Sequence, residues 1–259
     1  MRDLSYLQRI IGQRSVGVML HGKSIEALED HIYALRDKDI CWVSLGVFPM
    51  MEEFILSKIG KKLEIVLDCA TVDHARTEFY ELKVRVPKLK PFLSRKEDNL
   101  WITTHGLVRD SVKPFYPYFL DKYESKMLLI DSIFPQDNIP KWMDVPNSAT
   151  FLIASVLAGG ASKVFVFGLD GYTGDITKGV DFYYQRDLII KERLAVFGRW
   201  EDPGINRDTD YFETRFKGIL EEYRNLFGNQ APVYNCSPVT VYTVLPKITY
   251  EQLEEKLSE

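Results

Sequence analysis

Residues 147–174, NSATFLIASVLAGGASKVFVFGLDGYTG, constrain the fold more than any other part of the chain. Asn147 and Ser148 open a run of apolar and small residues, Phe151 to Ala158, which Gly159 and Gly160 close. A polar start and a glycine stop around such a run predict a helix. Lys163-Val-Phe-Val-Phe167 is a short continuous apolar run, the pattern of a buried strand. That strand empties into Gly168-Leu-Asp170-Gly-Tyr172. Ligands of open α/β sheets sit beyond the carboxyl ends of strands, so Asp170 and Tyr172 are the first candidates for chemistry.

Upstream, helices and strands alternate without an internal sequence repeat. Residues 2–13 carry Leu4, Leu7, Ile10 and Ile11 at helical spacing and predict a leading helix. Residues 15–20 read as a first strand and His21-Gly-Lys-Ser24 as its turn. Ser24 stands where an N-cap belongs, with a helix expected to about Arg36. Strands follow at 39–45 and 63–68, with a helix over 50–59 between them. This alternation indicates βαβ units and a mainly parallel sheet. Residues 71–82 look helical, while 83–98 are basic, contain Pro87 and Pro91, and predict a surface excursion. Two further strands are expected at 100–104 and 126–131. The aromatic segment between them, Phe115 to Tyr123, suits a subunit interface of a homo-oligomer and core packing equally well. Downstream come a polar and aromatic insert from Thr173, a helix over 187–196 and an irregular loop over 198–208. A long helix over 210–227, a last strand over 232–237 and a closing helix over 249–257 complete the chain.

At 259 residues the chain can bury a full core. A net charge of -4 argues against nucleic-acid binding through bulk charge. No apolar run reaches the ~20 residues of a membrane span, and the charged N-terminal stretch is unlike a signal peptide. Cys41, Cys69 and Cys236 are scattered without metal spacing and suit buried thiols of a reducing compartment, so a cytoplasmic protein is expected.

Gly17-Val-Met-Leu-His-Gly-Lys-Ser24 matches the phosphate-loop pattern letter for letter. Its context does not: the variable residues are themselves the strand, whereas a phosphate loop places its first glycine after the strand. A more modest reading remains. His21, Gly22, Lys23 and Ser24 form the turn after the first strand, where backbone N–H groups and a lysine suit a phosphate. Ser44 and Asp68, at the ends of the second and third strands, would face the same crevice and suit a ribose or base edge. For Ser44 a structural role within the strand is an equal alternative. His105 follows a strand and is placed to act as a general base. His31 and His74 lie in helical segments and read as ordinary histidines. No histidine pair has zinc-ligand spacing and no G-x-S-x-G elbow is present, so neither a zinc site nor a serine triad is expected. Thr209 and Asp210 read as helix-capping residues, and Arg199 and Arg207 as a phosphate clamp on the preceding loop.

The stretch from Ser148 to Tyr172 resembles the segment of bacterial CMP-sialic-acid-dependent sialyltransferases in which a small-residue helix leads into a strand ending Gly-x-Asp-x-Tyr. It is also similar to their relatives of the 6-hydroxymethylpterin diphosphokinase type. Leu20-His-Gly-Lys-Ser24, Arg207-Asp-Thr-Asp210 and Tyr234-Asn-Cys-Ser-Pro238 match further family landmarks in order. The resemblance implies one Rossmann-like α/β domain over residues 1–259, with a mostly parallel sheet, helices on both faces and a lid-like insert over about 173–208. It implies transfer of a sugar from a nucleotide donor to a hydroxyl acceptor without a metal cofactor. Gly22 and Ser24 would line the donor phosphates, Ser148 would touch the nucleotide, and Tyr172 would assist the leaving phosphate. The family's histidine base aligns with Ile205, which passes that role to His105, His21 or Asp208. A Mg²⁺-dependent diphosphokinase using Asp68 and Asp170, and a nucleotide-binding protein without catalysis, are the alternatives.

Overall fold

The computed structural model describes residues 2–46, 49–68, 86–104, 112, 117–130, 148–170 and 209–259. Seven strands form one sheet: β1 (Ser15–Met19), β2 (Ile40–Leu45), β3 (Ile65–Leu67), β4 (Leu100–Thr103), β5 (Met127–Leu129), β6 (Lys163–Phe167) and β7 (Val233–Asn235). Their order is β5-β4-β3-β2-β1-β6-β7, and every pair is parallel. Parallel neighbours require crossover connections, so both faces of the sheet must be covered. Val16, Val18, Val43, Val164 and Val166 enter one apolar cluster, while Met19, Trp42, Phe165 and Phe167 enter the other. The strands are therefore buried on both sides, which explains their near-continuous apolar sequence.

The first face carries α1 (Leu4–Ile11), α6 (Ser148–Ala158) and α7 (Thr209–Phe227). The second carries α2 (Glu26–His31), α3 (Pro49–Phe54), α4 (Val86–Leu93), α5 (Pro117–Tyr123) and α8 (Tyr250–Lys256). Helix α6 is apolar all round because it is enclosed: β1, β2 and β6 lie beneath it, and α1 and α7 pack against its flanks. An amphipathic helix would bury polar groups there. A side chain on Gly159, just past α6, would come within 2.3 Å of Ile11 Cδ1, so α1 crosses over glycine. Helix α8 is fixed by a capping box in which the Thr249 hydroxyl accepts from Gln252 N and Gln252 Oε1 accepts from Thr249 N.

Two expectations need correction. Residues 83–98 are not a surface excursion: α4 occupies 86–93 and buries Val86, Leu89, Phe92 and Leu93. Lysines and prolines mask that face in the sequence. Pro87 sits in the first turn, where its missing N–H costs nothing, and Pro91 gives up one bond in an eight-residue helix. The single helix expected from Ser24 to Arg36 is instead a 3₁₀ turn (Lys23–Ile25), α2 and a second 3₁₀ turn (Ile32–Leu35). Gly22, not Ser24, is the cap residue. The helices expected at 71–82 and 187–196, and the lid-like insert, lie outside the described residues.

At the amino-terminal edge of the sheet Arg14 donates to both oxygens of Glu64 at 3.1 and 2.6 Å and to the carbonyls of Ile10 and Ile11. One guanidinium thus ties α1 to the lead-in of β3. Cys41 and Cys236 are buried free thiols, and burial raises both above their ordinary range; Cys69 lies outside the described residues. Phe119 and Tyr123 are buried, with Phe119 edge-on to Trp101, so core packing accounts for them, while Tyr118 is exposed. Among the described residues no helix is long and apolar enough to cross a membrane.

Gly17 sits inside β1 with the Trp42 indole against it, and a side chain there would lie 2.5 Å from Trp42 Cε3. This is no phosphate loop. Gly17→Ala should lower stability by about 1–3 kcal/mol through overpacking. Urea unfolding followed by tryptophan fluorescence checks this, with a lower midpoint expected and an unchanged m-value.

Candidate functional site

The strand order reverses beside β1. Strands β2 to β5 extend from one side of it, and β6 and β7 from the other. Chain connections diverge to opposite faces at such a point and leave a crevice beyond the carboxyl ends of the two strands. Here β1 and β6 stay paired past their formal ends, with Leu20 N donating to Phe167 O (2.9 Å) and Gly22 N to Gly168 O (3.0 Å). Two glycines make that approach possible. A side chain on Gly22 would meet Gly168 O at 2.3 Å and Asp170 Oδ2 at 2.6 Å. Gly168 has φ +73°, and a side chain on it would meet Leu20 O at 2.8 Å.

Asp170 stands at the exit of β6, directly over the turn after β1. Its Oδ2 accepts from Ser24 N at 2.9 Å. Its Oδ1 accepts from the Ser237 hydroxyl at 2.6 Å and from the Ser24 hydroxyl. The two serine oxygens lie 2.8 Å apart. Three segments distant in sequence therefore converge on one carboxylate. The segment after β7 also holds the backbone leading to it: Val241 N donates to Asp170 O (2.9 Å) and Asn235 Nδ2 to Leu169 O (3.1 Å). Asn235 is itself buried, donates to Thr240 Oγ1 and accepts from Ser237 N. Both amide hydrogens and the amide oxygen are therefore bonded, as burial requires.

On the other flank of β1 the rim continues through Gly46, Asp68 and Thr103. Leu45 pairs with Leu67 and Leu67 with Ile102, so the next residues of β2, β3 and β4 lie side by side. Asp68 is buried and closely approaches Gly46, where a side chain would come within 3.0 Å of the carboxyl carbon. Thr103 is also buried, with no hydrogen-bond partner for its hydroxyl among the described residues. His21 is half-buried at the end of β1. Burial, with the positive charge of buried Lys88 on α4, pushes its imidazole down to about 4. It is neutral at pH 7 and a weak proton acceptor.

The sequence-level candidates separate on this geometry. Gly22, Ser24 and Asp170 come together. The Ser24 N–H expected to face a phosphate instead donates to Asp170. Lys23 is exposed, with its ammonium 3.7 Å from Glu26. Ser44 is fully buried and donates to Met19 O at 2.9 Å, so its hydroxyl serves the sheet. Ser148 is half-buried at the first position of α6, which runs back antiparallel to β6 and so begins at the carboxyl edge of the sheet. His105, Tyr172 and Arg207 lie outside the described residues. Ser237, Asn235 and Lys88 were missed. The run Tyr234-Asn-Cys-Ser-Pro238 carried a signal for the first two, since polar residues inside a buried last strand need partners.

Sheet order, glycine contact and polar rim define a doubly wound, Rossmann-like α/β protein with its topological switch point at β1 and β6. The sialyltransferase CstII from Campylobacter jejuni, solved with the substrate analogue CMP-3FNeuAc, shares this fold at a TM-score of 0.51 and 15% identity, over 91% of this chain and 86% of that one. A Cst-II sialyltransferase variant solved with CMP matches at a TM-score of 0.50 and 15% identity, over 88% of this chain and 83% of that one. The chain thus has the fold of the CstII sialyltransferases. No protein-family model matches the chain, and no curated protein matches its sequence.

The low proton affinity of His21 gives a pH dependence with a defined sign. Unfolded, His21 titrates near 6.5 and folded near 4, so the unfolded chain takes up the proton first. Its contribution is complete above pH ~6.5 and is lost as pH falls from there through about 4, with a size on the order of 3 kcal/mol. His21→Asn should therefore lose less stability than wild type between pH 7.5 and pH 4.5, measured by urea midpoints at the two values.

Proposed function

We propose that this chain is a nucleotide-sugar-dependent glycosyltransferase of the sialyltransferase type, transferring a sugar to a hydroxyl acceptor without a metal cofactor. The observation that carries this reading is the reversal of strand order at β1 and β6, with Gly22, Asp68 and Asp170 at the carboxyl ends of the strands, in a fold shared with a protein solved with CMP-3FNeuAc. The glycine contact holds the exits of β1 and β6 side by side, so that residues from both strands face the same side of the sheet edge. Asp68 accepts from ribose hydroxyls, and Ser148 meets the nucleotide from the start of α6. Neutral His21 offers a hydrogen bond at pH 7 rather than a charge.

In this reading the acceptor oxygen attacks the anomeric carbon while the bond from that carbon to the phosphate oxygen breaks. The acceptor proton passes to His105. Tyr172 donates a hydrogen bond to the departing phosphate, and Arg207 pairs with its charge, so that a neutral donor and a guanidinium do the work of a cation. Transfer without a metal is supported by the state of Asp170, whose oxygens already accept three protein hydrogen bonds. A carboxylate committed in this way is a poor metal ligand.

A thermal-shift panel with CMP, CDP, UDP and ATP, each in EDTA and in Mg²⁺, tests the reading. Stabilisation by CMP or CDP in EDTA is expected, amounting to ~2.7 kcal/mol at a ligand concentration 100-fold above Kd. A shift with ATP alone that requires Mg²⁺ would replace the reading with a diphosphokinase. Nucleotide binding without donor turnover would leave a binding protein. Tyr172→Phe should lower kcat for donor hydrolysis by about 10²-fold, the scale of losing one preorganised donor to a leaving oxyanion.

A further inference from the structure

We propose that Asp170 is a built-in anion filling the turn after β1, and that Ser237 is a positioning residue for the nucleotide site. The inference rests on the donor-binding reading above. Strand-to-helix turns in sheets of this kind attract anions because their backbone N–H groups converge on one point. In this chain that point is taken by a side chain. The Ser24 amide, the Ser24 hydroxyl and the Ser237 hydroxyl all donate to Asp170. Gly22 is kept free of a side chain by this carboxylate as well as by backbone, since a side chain on it would strike Asp170 itself.

Two consequences follow from the charge and the connectivity. Asp170 does not transfer a proton or hold a cation; it acts through the turn. A fixed carboxylate at the Ser24 amide also repels a second anion, so the donor phosphate is taken elsewhere in the crevice and the turn faces the uncharged part of the nucleotide. Ser237 is the link to β7. It carries the third hydrogen bond, its own amide donates to Asn235, and Asn235 and Val241 hold the backbone at Leu169 and Asp170. The residue two places beyond this anchor is Tyr172, so the turn after β7 sets where the exit of β6 begins.

Chemical rescue tests this. CMP is titrated calorimetrically into wild type, Asp170→Ala, Ser237→Ala and Ser237→Thr, with and without sodium formate, while hydrogen exchange follows the Ser24 amide. Asp170→Ala should weaken CMP binding by about tenfold or more, with formate recovering most of it, and Ser237→Ala by about threefold, with Ser237→Thr near wild type. Inorganic phosphate should bind Asp170→Ala and protect its Ser24 amide, and do neither in wild type. The Ser24 amide should exchange faster in Asp170→Ala and Ser237→Ala, and slow again in Asp170→Ala when formate is added. The proposal is overturned if folded Asp170→Ala binds CMP like wild type, or if formate changes neither affinity nor exchange. If wild type itself ignores CMP, the donor reading fails, and the exchange measurements still decide whether Asp170 and Ser237 hold the turn. Should Asp170→Ala not fold, unchanged Ser24 exchange in Ser237→Ala overturns the role of Ser237.

Discussion

Everything at the carboxyl edge of the sheet depends on how closely β1 and β6 approach. Their pairing continues for two hydrogen bonds past the end of β1 because Gly22 and Gly168 carry no side chains, and a methyl on either would meet backbone oxygen inside van der Waals contact. Only then can Asp170 reach back over the turn and bond to Ser24. The crevice, the orientation of the turn and the direction in which the chain leaves β6 all follow from that backbone contact. It is a steric requirement first and an electrostatic one second.

Polar groups hold the two edges of the sheet in different ways. Arg14 gathers α1 and the lead-in of β3 at the amino edge, using a partly exposed bidentate pair with Glu64. At the carboxyl edge Asn235 and Ser237 are buried and half-buried Asp170 is bonded to three donors, so partners are fixed by hydrogen bonds from neutral groups rather than by attraction between opposite charges. A partly exposed ion pair is weakened by salt, whereas a hydrogen-bonded network around buried Asn235 and Ser237 fixes one arrangement because any other leaves a buried polar group without a partner. The edge assigned to binding is the rigid one in this respect.

Much of this was legible in the sequence, and the limit has a physical cause. Strand β6 was readable to its end residues, because Lys163-Val-Phe-Val-Phe167 is apolar on both faces and bounded by glycine-containing turns. The closing helix was readable from Thr249 onward through its capping residue. Periodicity reports only local burial, and α4 escaped because its buried face is interleaved with lysines and prolines that usually mark a surface. The site was half legible. Chain position pointed to Gly22, Ser24 and Asp170, yet their meeting spans 146 positions, and a local pattern carries no information about such a partner. Ser24 shows the cost: its place after a strand suggested a phosphate or a cap, and only the fold reveals a carboxylate there.

The glycine contact also bears on how far sequences of this fold can drift. A rule of volume at two positions, with apolar filling elsewhere in the sheet, asks little of the identity of most residues, since hydrophobic side chains of similar size exchange at small cost. Two chains can then share a fold at 15% identity over nine-tenths of the length of one of them. The residues that do chemistry are under no such protection. Side chains around the crevice can be exchanged without disturbing the backbone crossing beneath them, which makes this scaffold a durable frame for changing reactions.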